Sequence, residues 1–173
     1  HEVAPGLSVL ALCLKRLKTW ADFGSALVVA HPDYADMLAP LNCEWVAGGA
    51  SRQESVRLGL EALEAQPNDL VFIHDAARPL VTSAVLERLS LALEQHPAAI
   101  PALHIADTLK TFDAGFESGE PETIKASADR AQFRRVQTPQ VFRHAEILAA
   151  HQQFQNRNDF TDDASLFEAL GKS

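Results

Sequence analysis

Asp75 and Arg78 stand three positions apart, just past the apolar run Leu70-Val71-Phe72-Ile73 and directly before Pro79. An aspartate can bind a hard cation, and an arginine three residues on can grip an anion, so the pair could hold a metal ion and a phosphate together. The same spacing also describes an ion pair in a tight surface turn, and these residues alone do not separate the two readings. A second group is Gly48-Gly49-Ala50-Ser51-Arg52-Gln53-Glu54-Ser55, where small residues let backbone amides approach a nucleotide closely. It has the glycine spacing of neither the dinucleotide fingerprint nor the P-loop, so a plain strand-to-helix turn is the more economical reading. Thr138-Pro139-Gln140 reads as N-cap, N1 and N2 of a helix. Asp129-Arg130 and Arg134-Arg135 read as solvated charges.

The elements that must position these groups follow from hydrophobic pattern. Leu70 to His74 is strand-length and continuous in its apolar part, as in a parallel strand buried on both faces, and Pro79 prevents the ladder from continuing. Asp75 and Arg78 therefore fall at a strand's carboxyl end, the edge where open α/β sheets bind ligands. Upstream, a helix is expected over about Ser8 to Trp20, then the strand Ala26 to Ala30 and a further strand at Glu44-Trp45-Val46. Ser51 with Glu54 makes a capping box, after which Val56, Leu60 and Leu63 recur on one helix face. Beyond Pro79 comes a helix capped by Thr82 with Leu86, Leu89 and Leu93 inward, then the apolar run Ala98 to Leu103. The order is βαβαβ, which implies an α/β fold with a right-handed, mostly parallel sheet.

From about Asp107 to Gln137 the helical period disappears, and Gly115, Gly119 and Pro121 interrupt the segment. Within it, Leu109 to Phe112 and Glu122 to Lys125 alternate in polarity and are expected to pair as a projecting β-hairpin arm, a device suited to dimerisation; the other reading is an unstructured loop. Helices return at about His144 to Gln155 and Thr161 to Leu170, the second capped by Thr161 with Asp162 and Asp163 at its positive end.

At 173 residues, with 47% apolar and 22% charged side chains, the chain suits one globular domain. Its formal charge of −8 argues against duplex nucleic acid or an anionic membrane surface as partner. Cations are nevertheless concentrated between Thr123 and Ala145, where Lys125, Arg130, Arg134, Arg135 and Arg143 face one acid, Asp129. That suits a small anionic substrate. Cys13 and Cys43 have no zinc-site spacing and make no disulfide framework, which fits a reducing cytoplasm. Leu7 to Leu14 lacks the basic start of a signal peptide, and no apolar run approaches the roughly 20 residues of a membrane span. The chain begins at His1 and stops at Gly171-Lys172-Ser173, which is expected of a fragment or of the ordered part of a longer chain.

Taken together, these motifs resemble the 2-C-methyl-D-erythritol 4-phosphate cytidylyltransferases of the non-mevalonate isoprenoid pathway. The resemblance rests on Gly48-Gly49 with Arg52 and Ser55-Val56, on His74-Asp75-Ala76-Ala77-Arg78-Pro79, and on Asp107-Thr108-Leu109-Lys110. It continues through Asp129-Arg130, Gln137-Thr138-Pro139-Gln140 with Phe142, and Thr161-Asp162-Asp163-Ala164-Ser165. It implies a doubly wound, Rossmann-like nucleotidyltransferase whose arm completes the neighbouring subunit's site in a homodimer. It implies that Gly49, Ala50 and Ser55 meet the cytosine and ribose of CTP and that Asp75 holds Mg²⁺. Arg78, Thr108, Arg130, Thr138 and Thr161 would hold the methylerythritol phosphate, with Arg130 and Asp75 central to catalysis.

Three features depart from the family's pattern. Its members often carry Asp where Ala50 stands, which leaves only a backbone contact there. Its glycine-rich front loop has no match ahead of the first helix, and its late lysine would lie beyond Ser173. The sister enzymes that use ribitol 5-phosphate tend to show Asp-Ala-Val-Arg in place of Asp75-Ala76-Ala77-Arg78 and lack the Asp129-Arg130 pairing in this form. The other competing reading is a catalytically silent nucleotide-binding or dimerisation module, and the unmatched front loop is its best support.

Overall fold

The structure, a computed structural model of the chain, describes residues 2–112, 122–157 and 159–172. It divides into two compact units, His1–Ile100 with Thr138–Ser173, and Pro101–Gln137. The first unit opens with a short antiparallel ribbon of β1 (Glu2–Ala4) and β2 (Leu7–Ser8), turned through Gly6 at a φ of 73°. Ser8 then caps α1 (Val9–Leu17), its hydroxyl accepting from the Ala11 amide at 3.1 Å. The helix is shorter than the sequence pattern suggests and ends before Trp20. β3 (Leu27–Ala30) follows, then short helical turns including α2 (Ala35–Leu38), then β4 (Glu44–Ala47), which pairs with β3 in parallel, Leu27 opposite Glu44.

Ser51 caps α3 (Arg52–Ala62) by accepting from the Glu54 amide. The helix can lie tightly on β3 because Gly59 has no side chain; a Cβ there would come within 2.6 Å of a Val29 methyl. β5 (Leu70–Ile73), α4 (Ser83–Ala92) and the two-residue β6 (Ala98–Ala99) complete this stretch.

The chain now builds the second unit. β7 (Ala102–His104) will pair with β10, β8 (Leu109–Phe112) pairs antiparallel with β9 (Ile124–Ala128), and β10 (Arg134–Val136) closes on β7, also antiparallel. The two segments pair as expected, but the second strand is shifted from the expected Glu122–Lys125 to Ile124–Ala128, with Leu109 opposite Ala128 and Phe112 opposite Ile124. Gly115, Gly119 and Pro121 lie outside the described residues. None of the described residues of this unit is buried, and Leu103, Phe112, Ile124, Phe133 and Val136 are exposed.

Back in the first unit, β11 (Gln140–Arg143) inserts between β5 and β6, antiparallel to both, and leads into α5 (His144–Gln153) and α6 (Ala164–Ala169). Neighbouring residues of a strand point to opposite faces, and here each face carries its own core. Phe142 is wholly buried with Leu60, Ile147, Leu166 and Phe167, and Val71, Ile73 and Ala98 pack on the same side. Val141, equally buried, joins Leu89 and Leu93, with Leu70, Phe72 and Ala99 beside them. Helices therefore cover both faces of this sheet, which is the doubly wound α/β arrangement and explains the unbroken apolar runs of its strands.

Several local expectations are corrected. Thr138-Pro139-Gln140 does not start a helix: the Thr138–Pro139 peptide is cis and Gln140 begins the central strand, because Val141 and Phe142 each have a core to fill. That strand also separates β5 from β6, so the strands of the βαβ unit run the same way without pairing directly. The run Ala98 to Leu103 is broken at Ile100-Pro101 into β6 and β7, which belong to different units. Thr82 occupies the N-cap position of α4 without a side-chain cap bond. Thr161 does not cap the last helix, which starts only at Ala164; Asp162 takes that role by accepting from the Ser165 amide at 3.0 Å.

Candidate active site

The turn after β5 is built to present two charged side chains. The Asp75 carboxylate accepts from the Ala77 amide at 2.9 Å, and the Arg78 amide donates to the Asp75 carbonyl at 2.9 Å, so the loop folds back on itself. The Arg78 Nε lies 3.4 Å from Asp75 Oδ2, and both side chains remain nearly half exposed. Thr138, two residues ahead of β11, steadies the turn: its hydroxyl accepts from the Asp75 amide at 3.0 Å and meets His74 Nδ1 at 3.0 Å. The other ring nitrogen of His74, Nε2, is 3.1 Å from the Arg78 carbonyl. A carbonyl only accepts, so Nε2 carries the proton and Nδ1 receives the Thr138 hydroxyl's hydrogen. Burial, outweighing the Arg78 carbonyl and the Asp75 charge, lowers the His74 pKa and keeps this tautomer neutral. Asp75, Arg78 and Thr138, three of the residues expected in the site, are thus directly joined.

The glycine loop forms a second centre. The Gly49 amide donates to the Ser55 hydroxyl at 3.0 Å, and that hydroxyl donates to the Ser51 carbonyl at 2.8 Å. The Ala50 amide donates to Glu54 Oε2 at 2.7 Å, so the glutamate of the expected capping box reaches one residue further back than the N-cap. The glycines are needed for this closeness: a Cβ on Gly48 would meet the Ser55 hydroxyl at 2.8 Å, and one on Gly49 the Glu54 side chain at 2.3 Å. Gly49, Ala50 and Ser55 are therefore held as one group.

A third centre was not legible as a site from the sequence. Asp163 is buried, with 1% of its side chain exposed; one oxygen accepts from Arg52 Nη2 at 2.6 Å and the other lies 3.1 Å from His151 Nε2. Burial works to raise its pKa, and the bonds from His151 and Arg52 override it, so the carboxyl is held below the usual aspartate range. Gln140 binds the same turn, accepting from the Asp163 and Ala164 amides at 3.1 and 3.0 Å and donating to Asp162 Oδ2 at 2.8 Å. Thr161 is exposed at the head of this turn. Burial acts to lower the Arg52 pKa, but the Asp163 bond and the charges of Asp163, Asp162 and Asp75 raise it. That influence puts Arg52 within electrostatic reach of the Asp75 turn. Cys13 of α1 is in reach as well, its thiol pushed up by burial and then by Asp75.

Thr108 and Arg130 belong to the second unit. Asp129 caps the short turn Arg130–Gln132 by accepting from the Ala131 amide, and the Arg130 guanidinium donates to the Ala106 carbonyl. Arg130 is thereby fixed beside the segment that carries Thr108.

Asp75 offers hard oxygens on a half-exposed side chain. No three His, Cys, Asp or Glu side chains come together as a metal cage among the described residues. A cation on Asp75 would therefore draw its remaining ligands from substrate phosphates and water, the coordination Mg²⁺ favours.

Residues 4–173 match the family model of 2-C-methyl-D-erythritol 4-phosphate cytidylyltransferase. The chain is 43% identical over 176 residues to the bifunctional enzyme IspD/IspF of Paramagnetospirillum magneticum, covering 99% of this chain and 44% of that protein. It is 46% identical over 127 residues to the 2-C-methyl-D-erythritol 4-phosphate cytidylyltransferase of Streptomyces coelicolor, covering 73% of this chain and 46% of that one. Among solved structures it is similar to the 2-C-methyl-D-erythritol 4-phosphate cytidylyltransferase of Thermus thermophilus, with a TM-score of 0.80 and 34% identity over 97% of this chain and 77% of the other. The 4-diphosphocytidyl-2C-methyl-D-erythritol synthase of Anaerococcus prevotii gives a TM-score of 0.83 at 26% identity, over 97% of this chain and 74% of the other. The chain spans less than half the length of these curated relatives.

Proposed function

Because the chain belongs to the 2-C-methyl-D-erythritol 4-phosphate cytidylyltransferase family, we propose that it is the cytidylyl-transferring part of an enzyme of isoprenoid precursor synthesis. In the reaction a phosphate oxygen of 2-C-methyl-D-erythritol 4-phosphate attacks the α-phosphorus of CTP. A new P–O bond forms, the bond from that phosphorus to the bridging oxygen breaks, and pyrophosphate leaves. No protein nucleophile takes part. Catalysis then rests on holding two polyanions in line and balancing their charge.

The observation that carries this reading is the Asp75–Arg78 turn, clamped by Thr138 and His74 so that an acid and a base are offered side by side at the carboxyl end of β5. Gly49, Ala50 and Ser55 are assigned to the cytosine and ribose, and Asp75 to Mg²⁺. When bound, the metal would neutralise charge on the triphosphate. Arg78, Thr138 and Thr161, with Thr108 and Arg130 of the second unit, are assigned to the acceptor; the guanidinium groups suit its phosphate because they can grip two oxygens at once. The exposed apolar side chains of the second unit support a homodimer, since a surface carrying Leu103, Phe112, Ile124, Phe133 and Val136 gains by being covered. Two free cysteines are compatible with the cytoplasm, and no helix among the described residues is long and apolar enough to cross a membrane.

The test is pyrophosphate release by the full-length protein with CTP, Mg²⁺ and either 2-C-methyl-D-erythritol 4-phosphate or ribitol 5-phosphate. Release with the first acceptor is expected. Release with ribitol 5-phosphate alone would transfer the protein to the sister activity, and release with neither would leave a binding module.

A further inference from the structure

Arg52 and Asp163 are 111 positions apart in sequence, and neither is assigned to a substrate in the account above. Their bond joins the first residue of α3, directly behind the glycine loop, to the turn that follows Thr161. The next residue repeats the link: Gln53 Nε2 donates to the Phe154 carbonyl at 2.9 Å, tying the start of α3 to the end of α5. Gln140 supports the same turn from the central strand through three bonds, so its backbone has little freedom left. Arg52 itself keeps half of its side chain exposed, and the bond to Asp163 is the one hydrogen bond its guanidinium makes among the described residues.

Stability alone is a poor reason for such a centre. Taking a carboxylate out of water is costly, and apolar residues of the same volume often serve a fold as well as a buried ion pair does. What a paired buried charge does supply is a fixed geometry, because the partner has one place to bind. Here that geometry relates two loops that the proposed reaction assigns to different substrates, CTP at Gly49 and Ala50 and the acceptor at Thr161.

We propose that Asp163 is a positioning residue that, by holding the Arg52 guanidinium, fixes the glycine loop against the Thr161 turn and so sets the in-line approach of acceptor to nucleotide. The inference rests on the cytidylyltransferase reading. Each subsite keeps its own contacts when the link is cut, whereas their mutual placement does not; a displacement of about 1 Å lowers a rate by roughly 100-fold.

The test compares Asp163→Asn, Asp163→Glu, Arg52→Lys and Arg52→Gln in the full-length protein. Pyrophosphate release gives kcat and KM for both substrates, calorimetry gives CTP affinity, and thermal unfolding gives stability. Asp163→Asn and Arg52→Gln are expected to lose on the order of 10- to 100-fold in kcat. CTP affinity and both KM values should stay within about threefold, a change of under one kcal/mol in each. Asp163→Glu, which keeps the charge, should recover part of the rate. Ile147→Val, a core change remote from the link, is the stability control: it should lower the melting temperature by about 2–4 °C and leave kcat unchanged. Kinetic losses that merely follow melting temperature across this set, or that appear only in KM, would overturn the proposal. Should Asp163→Asn fail to fold, the half-exposed Arg52 variants decide alone, and full activity in both would refute it. If the unmodified protein releases no pyrophosphate, it is the cytidylyltransferase reading that fails; a working parent with fully active variants refutes the positioning role only.

Discussion

Replacing Thr138 with valine keeps the side chain's shape and removes one hydroxyl, which makes it the cleanest probe of how Asp75 is held. Two contacts at 3.0 Å disappear, the one accepted from the Asp75 amide and the one to His74 Nδ1. The amide lies in an exposed turn where water can replace the hydroxyl, so its loss is about 0.5–1 kcal/mol. The imidazole nitrogen is partly buried and is left without a partner, which adds about 1–2 kcal/mol. Together these lower stability by about 1.5–3 kcal/mol, or a melting temperature by roughly 4–8 °C for a chain of this size. The larger effect is on rate. An unanchored turn lets Asp75 and Arg78 shift together, and a displacement of about 1 Å corresponds to roughly 100-fold in turnover. The Mg²⁺ concentration needed for half-maximal activity should rise in step, because the carboxylate no longer waits in place. Thr138→Ser retains the hydroxyl and should keep activity within about threefold, a barrier change of about 0.7 kcal/mol. Denaturant unfolding and pyrophosphate release, each measured across a Mg²⁺ series, check both parts. A valine variant with the parent's stability and Mg²⁺ dependence would refute the clamp.

Three further outcomes are expected. Asp75→Ala should abolish Mg²⁺-dependent turnover while leaving the unfolding midpoint nearly unchanged, because the side chain is half exposed and outside both cores; near-normal turnover removes Asp75 from the metal site. Mixing Asp75→Ala subunits with Arg130→Ala subunits should restore part of the activity if the arm acts across a homodimer, and no recovery in demonstrated heterodimers places both residues in one subunit's site. The acid limb of stability should carry the signature of Asp163. Its folded pKa lies below the ordinary 3.8, so the unfolded chain takes up the proton first and this contribution, full above 3.8, is lost as pH falls below it. Asp163→Asn should therefore lower stability at neutral pH by about 2–3 kcal/mol, less than for a fully buried pair because Arg52 is half exposed. The gap should narrow below about pH 3.8, and a gap that does not change with pH contradicts the ionised pairing.

The parts of the fold that were readable are those where one local signal suffices. Ser51 caps the helix its capping box marks, and Leu109 to Phe112 forms a strand as its alternation suggests. The turn carrying Asp75 was readable for a related reason: an apolar run that stops at an acid has few ways to continue. The segment after Pro139 shows the limit. Gln140-Val141-Phe142-Arg143 is too short to reveal a period, and it is a strand only because two separate cores need Val141 and Phe142 on opposite faces. Asp163 was misread for the same reason. Next to Asp162 it resembles an exposed helix-start acid, and only the tertiary arrangement brings Arg52, His151 and Gln140 around it. Gln140, a buried polar side chain inside an apolar strand, was the one available hint, because such a group requires partners.

The most direct test of the account is to follow the α-phosphorus of CTP. With α-labelled CTP, Mg²⁺ and 2-C-methyl-D-erythritol 4-phosphate, the full-length protein should move the label into a diphosphate-linked product and release unlabelled pyrophosphate, with no label on the protein at any time. Label that remains in CTP, passes only to ribitol 5-phosphate, or becomes covalently attached to the protein would contradict it.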